Sequence, residues 1–474
     1  MRIGVFGLGK LGLCSAACFA AKGHQVVGFD SNPEHLAALM AGACPIRETG
    51  LEELLALARP NFTVTDAPDA MVQETDFSFI IVPTPSRSDG RFENHAIEEV
   101  LAVIGPALRG KNDFHVVNIV STVMPGSCEG SFQPVLERLS GKNCGTDFGL
   151  AYNPEFIALG AVIDNFLNPD LVLIGASDER TGRLLTGLYR STCDNEPRLA
   201  VMSLINAEIT KLSLNCFVTM KISFANELAA ICEKIPGADA AVITAALGED
   251  SRIGPKCLKS GLGFGGPCFP RDNLAFQAFA QEAGWEACLA PQVVRLNHLV
   301  TERLLSLISR HLNPPARVAL LGLAYKPDTH IVEESQSLHL ARKLMAAGFA
   351  VRLHDPLALD EARAVLGEGP AYCRNACDCL RQTDAVALLT NWPHYAGLDW
   401  ERMHFPDGHH PLLVDCWGIL KGRCLPNFRY FSLGLGPRHP VIGPPLLTGD
   451  NPKLTLIKPH REDGAAWGCR GISR

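Results

Sequence analysis

The chain has 474 residues, 47% of them hydrophobic and 20% charged, and its formal net charge is −7. A length of this order predicts about three domains with sizeable buried cores. The negative charge argues against nucleic acid or an anionic membrane surface as a partner, and no run of about 18 apolar residues is available to span a bilayer. We therefore expect a soluble, cytoplasmic protein.

Cysteine is frequent, with 17 residues, but the cysteines follow no regular spacing. Cys14 and Cys18 lie on an apolar predicted helix, and Cys373, Cys377 and Cys379 cluster near a charged turn. Paired Cys-x-x-Cys or His partners at ligand spacing, which a metal site would need, are missing from this pattern. The sequence predicts reduced thiols and no metal.

The first predicted elements are a short apolar strand, residues 2–6, and an Ala- and Cys-rich helix that runs to Lys22. Between them lies the motif GLGKLG, residues 7–12, and a second strand, residues 25–29, ends at Asp30. A glycine motif alone is a weak signal, but this order of strand, glycines, helix and acidic residue is typical of a dinucleotide-binding unit. The alternative is a tight strand-to-helix turn that binds no ligand.

The residues of this unit also indicate a cofactor. Gly7, Gly9 and Gly12 let the backbone approach a pyrophosphate, which the helix N-terminus attracts. Asp30 is placed to accept hydrogen bonds from an adenosine ribose, and its charge would repel a 2′-phosphate. The sequence therefore predicts NAD rather than NADP.

Two further strands, residues 77–82 and 116–120, each end in a polar turn that contains proline. Ligands of open α/β sheets lie beyond the carboxyl ends of the strands. We expect Thr84 and Thr122, which follow these strands, to line the cofactor crevice, although a threonine taken alone is more often a simple cap or turn residue.

A long helix is predicted from Ser203 to about Lys234, where no glycine or proline interrupts the helical spacing of apolar residues. Glu208, Lys211 and Asn215 share one face of it. A solvated face is the ordinary interpretation of such a trio. A long helix between two α/β units also suits a dimer interface.

Residues 261–272 read GLGFGGPCFPRD, with four glycines and with Cys268 between two prolines. Glycine loosens the backbone and proline removes a hydrogen-bond donor, so an ordinary helix or central strand is excluded for most of this stretch. We expect a group to come close to this backbone, with Cys268 where it arrives.

The α/β rhythm starts again after Pro314-Pro315, with a strand at residues 317–321, a helix at 337–347 and a strand at 350–353. Two later strands are predicted at 385–389 and 412–414. The fold class is therefore α/β, with two Rossmann-like doubly wound domains joined by a region of long helices. The predicted segments are an NAD-binding domain (1–200), a central helical region (201–312), a second Rossmann-like domain (313–435) and a loosely ordered tail (436–474).

Eight motifs in this order resemble the nucleotide-sugar dehydrogenases, specifically the UDP-glucose 6-dehydrogenase family. They are GLGKLG, VPTP, STVMPG, NPEF at 153–156, KLSLN, SRIGPK at 251–256, GLGFGGPCFPRD and GLAYKPDT. The resemblance implies an N-terminal NAD domain, a central dimerisation region that forms a homodimer, and a C-terminal domain for the UDP-sugar. It also implies oxidation of a primary alcohol to a carboxylate with two NAD.

The resemblance also implies catalytic roles. Cys268 matches the nucleophile that adds to the aldehyde intermediate, which makes a thiohemiacetal able to release a second hydride. Lys211 and Asn215 match oxyanion-stabilising groups, Asp272 matches an acid that positions a water, and Glu155 matches the acid–base residue for thioester hydrolysis. Because a free cysteine titrates at about 8.5, we expect nearby positive charge to favour the thiolate.

Binding residues follow from the same motifs. Those implied for the cofactor are Gly7, Gly9, Leu11, Gly12, Asp30, Thr84, Thr122 and Glu155. Those implied for the sugar nucleotide are Phe156, Lys211, Asn215, Arg252, Phe264, Gly265 and Lys326, with Arg252 matching a residue that reaches into the partner subunit's site.

Four positions depart from the family pattern. Leu159 replaces a glutamate, Cys257 replaces an aromatic residue that packs on the nucleotide base, and Glu333 and Trp417 stand where arginines are usual. SRIGPK favours UDP-glucose over GDP-mannose, yet these changes leave another nucleotide sugar open. A two-electron dehydrogenase of the hydroxyacid type and a non-catalytic nucleotide-binding protein are the remaining alternatives.

Overall fold

A computed structural model describes residues 1–405 and 408–437 of the chain. Of the predicted tail, Gly436 and Pro437 are hydrogen-bonded through their backbones to Ala238 and Gly237, at 2.8 and 3.1 Å. The rest of that prediction, residues 438–474, lies outside the described residues.

The N-terminal part forms an eight-stranded sheet in the order β3-β2-β1-β4-β5-β6-β7-β8, parallel except for the antiparallel pair β6 and β7. Its strands are β1 Arg2–Phe6, β2 Gln25–Phe29, β3 Phe62–Val64, β4 Phe77–Ile80, β5 His115–Ile119, β6 Phe148–Tyr152, β7 Leu171–Ala176 and β8 Arg198–Met202. Its helices are α1 Lys10–Ala21, α2 Pro33–Met40, α3 Leu51–Ala58, α4 Pro68–Glu74, α5 His95–Arg109, a π-helical turn Cys128–Phe132, α6 Gln133–Ser140, α7 Val162–Leu167 and α8 Glu179–Thr192.

The central strands of this sheet are buried on both faces. Every residue of β4, β5 and β6 is buried, as expected for strands covered by helices on either side. The small Ala and Cys side chains of α1 let it pack closely in the core, where its residues 12–20 are all buried.

The central region consists of helices: α9 Leu204–Cys232, α10 Ala240–Glu249, α11 Phe269–Glu282 and α12 Leu289–His311. The predicted long helix is confirmed, since α9 spans 29 residues. It packs against α11, α12 and the strand β7. It therefore connects the N-terminal sheet to the helix that begins with the Cys268 loop.

The C-terminal part forms a second, fully parallel sheet in the order β11-β10-β9-β12-β13-β14. Its strands are β9 Arg317–Leu321, β10 Ala350–His354, β11 Ala371–Tyr372, β12 Ala385–Leu388, β13 Leu412–Asp415 and β14 Arg429–Ser432. Its helices are α13 Gln336–Ala346, α14 Leu359–Leu366, α15 Ala376–Leu380, α16 Pro393–Ala396 and a 3-10 turn Trp400–Arg402. The predicted pair of Rossmann-like units is confirmed.

Loops beyond the carboxyl ends of both sheets contact each other. Lys10 Nζ, at the start of α1, lies 3.0 Å from His330 Nε2 in the loop after β9. A side chain at Gly160 would collide with the backbone carbonyl of Asp328. The ligand-binding ends of the two sheets therefore meet. Within the described residues, no helix has both the length and the apolar character needed to cross a membrane.

Candidate active site

The glycine loop after β1 leaves the N-terminus of α1 open. Gly7 has φ +91°, and a side chain there would strike the carbonyl of Ile81, while one at Gly12 would strike the carbonyl of Gly7. At Gly9, the N-cap of α1, no atom beyond its own chain neighbours lies within 4 Å of the position a Cβ would take. The helix N-terminus thus presents free backbone amides in open space, which suits a pyrophosphate.

Asp30 is held in place by the same loop. Its Oδ2 accepts a 2.7 Å hydrogen bond from the Leu8 amide, and its Oδ1 accepts one of 2.8 Å from the Asn32 amide. The carboxylate is therefore fixed at the end of β2, beside the glycine loop. Leu11, on the other side of that loop, is partly buried and packs against the core. These residues fit a dinucleotide cofactor.

Thr84 and Thr122 do lie together. The Thr84 hydroxyl donates to the Thr122 carbonyl at 2.8 Å, and Arg271 Nη2 donates to the same hydroxyl at 3.4 Å. Arg271 also lies over the Phe92 ring, 4.3 Å from its centroid. The crevice of the N-terminal sheet is thus joined to the Cys268 loop by an arginine.

The four glycines of the Cys268 loop are required by neighbouring protein. A side chain at Gly261 would lie 2.6 Å from the Trp417 ring, and one at Gly266 would lie 2.8 Å from the Tyr325 ring. Gly263 and Gly265 face the side chain of Asn297 and the backbone of Glu334 in the same way. The groups that come close to the backbone at these four glycines are therefore neighbouring parts of the protein.

Cys268 is exposed and forms the N-cap of α11. The surrounding protein nevertheless raises the pKa of its thiol through desolvation, and the charges of Asp272 and Glu333 raise it further. Lys211 and Arg271 lower that pKa, as expected of nearby positive charge, but they do not outweigh the desolvation. The net pKa is raised, so the thiol form is favoured.

Lys211 lies on the buried face of α9. Its Nζ donates a 2.6 Å hydrogen bond to the Glu155 carbonyl and lies 4.5 Å from the centroid of the Phe156 ring. Desolvation lowers the pKa of this lysine, whereas the charges of Asp272, Cys268 and Glu155 raise it. The ammonium group is thus placed among the candidate catalytic side chains.

One turn further along α9, Asn215 donates a 2.6 Å hydrogen bond to Oδ2 of Asp272. Asp272 is only 1% exposed, and burial raises the pKa of its carboxyl. Its Oδ1 has no hydrogen-bond partner among the described residues, and Arg271 Nε lies 3.6 Å away. That buried oxygen therefore has unused hydrogen-bonding capacity.

Glu208 corrects the solvated interpretation of this helix face. Its carboxylate is completely buried and accepts hydrogen bonds of 2.7 and 2.9 Å from the amides of Gly126 and Cys128. The three polar residues of α9 therefore face protein, and Glu208 holds the turn that follows Thr122.

Glu155 lies near the end of β6 with its carboxyl beside Tyr189. Tyr189 Oη is 3.0 Å from Glu155 Oε1. Desolvation raises the pKa of Glu155 to about 7, although Tyr189 and the charge of Lys211 oppose the rise. A carboxyl of this acidity can exchange a proton near neutral pH.

Three models of the UDP-glucose/GDP-mannose dehydrogenase family match the chain: the NAD binding domain over residues 1–193, the central domain over 205–299 and the UDP binding domain over 319–422. The chain belongs to this family. It is an NAD-dependent nucleotide-sugar dehydrogenase.

Relatives with different substrates are similar to this dehydrogenase. UDP-glucose 6-dehydrogenase AglM of Haloferax volcanii is 36% identical over 405 residues, which are 85% of this chain and 94% of the relative. GDP-mannose 6-dehydrogenase of Azotobacter vinelandii is 35% identical over 363 residues, 75% of this chain and 81% of the relative. The solved UDP-glucose dehydrogenase of Pyrobaculum islandicum matches this chain with a TM-score of 0.83 at 35% identity. The match covers 92% of this chain and 98% of the Pyrobaculum chain.

The remaining predicted contacts of the dehydrogenase lie in different environments. Phe264 is buried, and its amide donates to Asn297 Oδ1 at 2.8 Å. Lys326 is half-buried, and desolvation lowers its pKa. Arg252 is exposed and ion-paired with Asp250 at 2.6 Å.

The four departures from the family pattern also have distinct surroundings. Leu159 packs against the N-terminal core, and Cys257 is exposed in a left-handed conformation with φ 61°. Glu333 is exposed, and its carbonyl accepts a 3.0 Å hydrogen bond from Gly266. Trp417 donates from Nε1 to the Leu389 carbonyl at 2.9 Å, so its ring is fixed against the Cys268 loop.

Two side chains of the dehydrogenase's site were not predicted. Arg271 lies in the motif GLGFGGPCFPRD, three residues after Cys268, so its position in the sequence could have indicated that it belongs to the site. Tyr189 lies on α8, far along the chain from every motif, and its contact with Glu155 could be found only from the fold.

Proposed function

We propose that the dehydrogenase oxidises the C6 primary alcohol of UDP-glucose to the carboxylate of UDP-glucuronate, in two hydride transfers with a covalent intermediate on Cys268. The observation that carries the proposal is the cluster around this exposed thiol, whose ionisation responds to Lys211, Arg271 and Asp272 together. The UDP binding domain match and the UDP-glucose dehydrogenases among the relatives support the substrate.

The first step turns the alcohol into an aldehyde. NAD would supply the hydride acceptor, and Gly7, Gly9, Leu11, Gly12, Asp30, Thr84 and Thr122 would hold it. The unpaired Oδ1 of Asp272 accepts a hydrogen bond from the water that receives the hydroxyl proton. Lys211 and Asn215 stabilise the oxygen as negative charge develops on it.

The second step needs a group that adds to the aldehyde. The Cys268 sulfur forms a bond to the carbonyl carbon, and the thiol proton passes to the oxygen, which gives a thiohemiacetal. Loss of this hydroxyl proton and of the second hydride, for which a second NAD would be the acceptor, leaves a thioester. Because the free thiol form is favoured, we propose that substrate binding or proton loss to a neighbouring base precedes the attack.

Water then cleaves the thioester. Glu155 removes a proton from the attacking water, the C–S bond breaks, and the thiol is restored together with the carboxylic acid. A carboxyl with a pKa of about 7 is well suited to act as a base near neutral pH. Phe156, Arg252, Phe264, Gly265 and Lys326 are proposed to hold the sugar nucleotide.

The proposal is tested by counting NADH released per sugar consumed, with a panel of UDP-, GDP- and dTDP-sugars. We expect two NADH for each UDP-glucose, and no acid from Cys268→Ala. Cys288→Ala, which alters another exposed cysteine, is the matched control and should retain activity. One NADH per sugar, with free aldehyde accumulating, would contradict the covalent route.

A different nucleotide sugar is the second candidate. Trp417 and Cys257 replace residues that contact the nucleotide in the family pattern. The GDP-mannose 6-dehydrogenase of Azotobacter vinelandii is 35% identical to this chain, against 36% for the UDP-glucose 6-dehydrogenase of Haloferax volcanii. Faster turnover of another sugar nucleotide in the panel would select this candidate and leave the chemistry unchanged.

We also propose a homodimer through α9. Phe217, Phe224 and Ile231 recur every seventh residue on this helix and are 59%, 49% and 51% exposed. Such a stripe of large apolar side chains supports contact with a second copy. Arg252 is exposed, and it would exchange its ion pair with Asp250 to reach a partner's site, as the family pattern implies.

A further inference from the structure

Three oxygen atoms form a buried line beside the cofactor crevice. Tyr189 Oη lies 3.0 Å from Glu155 Oε1 and 2.5 Å from Asn153 Oδ1. Tyr189 and Asn153 are 2% and 1% exposed, so the contact between them excludes solvent, and Glu155 is partly buried. The phenol therefore has two close neighbours and a single hydrogen to give.

The orientation of the Asn153 amide follows from its other contact. Its Nδ2 donates a 2.8 Å hydrogen bond to the Leu173 carbonyl on β7, so the oxygen must point toward Tyr189. The remaining donor to that oxygen is Asn118 Nδ2, at the longer distance of 3.3 Å. Asn153 thus offers the phenol an acceptor and no donor.

Hydrogen counting then decides what each state of Glu155 allows. If Glu155 is protonated, it donates to Tyr189 and Tyr189 donates to Asn153, so both short contacts contain a hydrogen. If Glu155 is ionised, both neighbours of the phenol are acceptors, and one O···O contact has no hydrogen. The phenol must then turn toward the carboxylate and abandon Asn153.

We propose that Tyr189 is a positioning residue that turns its hydroxyl hydrogen between Asn153 and Glu155, and that Asn153, by competing for that hydrogen, favours the protonated form of Glu155. The effect on turnover rests on the proposed role of Glu155 in thioester hydrolysis. The hydrogen-bond arrangement itself does not.

Other groups near Glu155 act without this switch. Lys211, from α9, favours the carboxylate through its charge. Cys18 on α1 and Cys193 after α8 also interact electrostatically with Glu155, and burial raises the pKa of both thiols, which keeps them neutral at physiological pH. Among these described groups, the phenol alone changes its hydrogen-bond partner when Glu155 ionises.

The test is an infrared pH titration of the full chain, in which Glu155→Gln identifies the carboxylic-acid band of Glu155. Asn153→Leu keeps the side-chain volume and removes the acceptor, and Asn153→Ala is a second version in case the first does not fold. We expect either variant to lower the midpoint by about one pH unit, the size of one hydrogen bond. Tyr152→Phe, which removes another buried hydroxyl, is the control and should leave the midpoint unchanged.

The decisive comparison repeats these variants in the Tyr189→Phe background. Because Asn153 acts through the phenol, its replacement should then leave the midpoint unchanged. An equal shift in both backgrounds overturns the proposal, as does a wild-type midpoint at the ordinary value of a glutamate. If the infrared midpoint moves as expected while the pH profile of kcat does not, the inference stands and the catalytic role proposed for Glu155 fails.

Discussion

The acidity of Cys268 results from a balance between opposing neighbours. Lys211 and Arg271 favour the thiolate, while Asp272 and Glu333 oppose it. Desolvation by the surrounding protein raises its pKa more than any of these charges changes it. A resting enzyme with a protonated nucleophile is protected from chance alkylation and oxidation, since the thiolate is the reactive form.

Asp272→Asn removes a negative neighbour and should lower the pKa of Cys268. We expect the rate of Cys268 alkylation by iodoacetamide at neutral pH to rise by about three- to tenfold, since the thiolate fraction changes tenfold per pKa unit. Lys211→Met should slow the same reaction, and Cys268→Ala gives the background from other thiols. An unchanged or slower reaction in Asp272→Asn would contradict the charge balance.

Glu155 should make stability depend on pH. Its folded pKa of about 7 lies above its ordinary value of 4.5, so the folded protein retains a proton that the unfolded chain loses between these pH values. Stability from this group is therefore full below about pH 4.5 and is lost as pH rises through about 7.

Glu155→Gln removes that dependence, and we expect it to increase the free energy of unfolding by about 2–3 kcal/mol near pH 8 and by much less near pH 5. Urea unfolding at the two pH values measures the difference. Equal effects at both would show that Glu155 titrates normally.

At the scale of elements, α9 connects the parts of the site. Glu208 holds the turn of Gly126 and Cys128, Lys211 contacts the carbonyl of Glu155, and Asn215 contacts Asp272. Each residue reaches a different segment of the chain. One straight helix thereby fixes the relative positions of three loops.

Glu208→Gln should weaken the contact between α9 and the turn of Gly126 and Cys128. The glutamine side chain has one acceptor oxygen, so its NH2 group would face one of the two backbone N–H donors. We expect a loss of about 2–3 kcal/mol in the free energy of unfolding and a higher KM for NAD. Glu227→Gln, at an exposed position of the same helix, is the matched control and should change neither. Equal stability of both variants would contradict the role of Glu208.

The ends of an element could be predicted where a turn residue follows the apolar run. β1, β2 and β9 were predicted at their observed ends because glycine or an acidic turn residue follows each apolar run. β7 and β8 were not predicted, and nothing in their residues distinguishes the antiparallel strand from a parallel one. The face of Glu208, Lys211 and Asn215 was found from spacing, but spacing cannot tell a buried polar face from a solvated one.

The site was predictable where a motif contains it. Cys268, Asp272 and the glycine loop lie in short stretches whose residue types are restricted by chemistry. The contact of Tyr189 with Glu155 and the raised pKa of Cys268 depend on distances and burial, which no sequence pattern carries.

At the scale of the whole molecule, the N-terminal and C-terminal sheets contact each other through their loops. β3-β2-β1-β4-β5 and β11-β10-β9-β12-β13 have the same order, and in each an acid after the second strand accepts from the loop after the first: Asp30 from Leu8, and Asp355 from Leu323, both at 2.7 Å. The two halves therefore share a strand order and the same hydrogen bond between the second strand and the first loop.

The proposed homodimer is tested with Phe224→Asp, which places a charge in the centre of the α9 stripe. We expect sedimentation velocity to show a monomer, since burying an unpaired charge is costly. Leu57→Asp, at a residue that is 72% exposed on α3, is the matched control and should remain dimeric. A dimer that survives Phe224→Asp would exclude this surface as the interface.

The packing of the Cys268 loop on Trp417, Tyr325 and Glu334 has a consequence for the order of events. These neighbours all belong to the C-terminal half, so the sulfur is anchored to the part of the molecule proposed to carry the sugar. Opening of the N-terminal crevice to exchange reduced for oxidised cofactor would then leave a hexose bound to Cys268 in place. The partly oxidised sugar would not dissociate between the two hydride transfers.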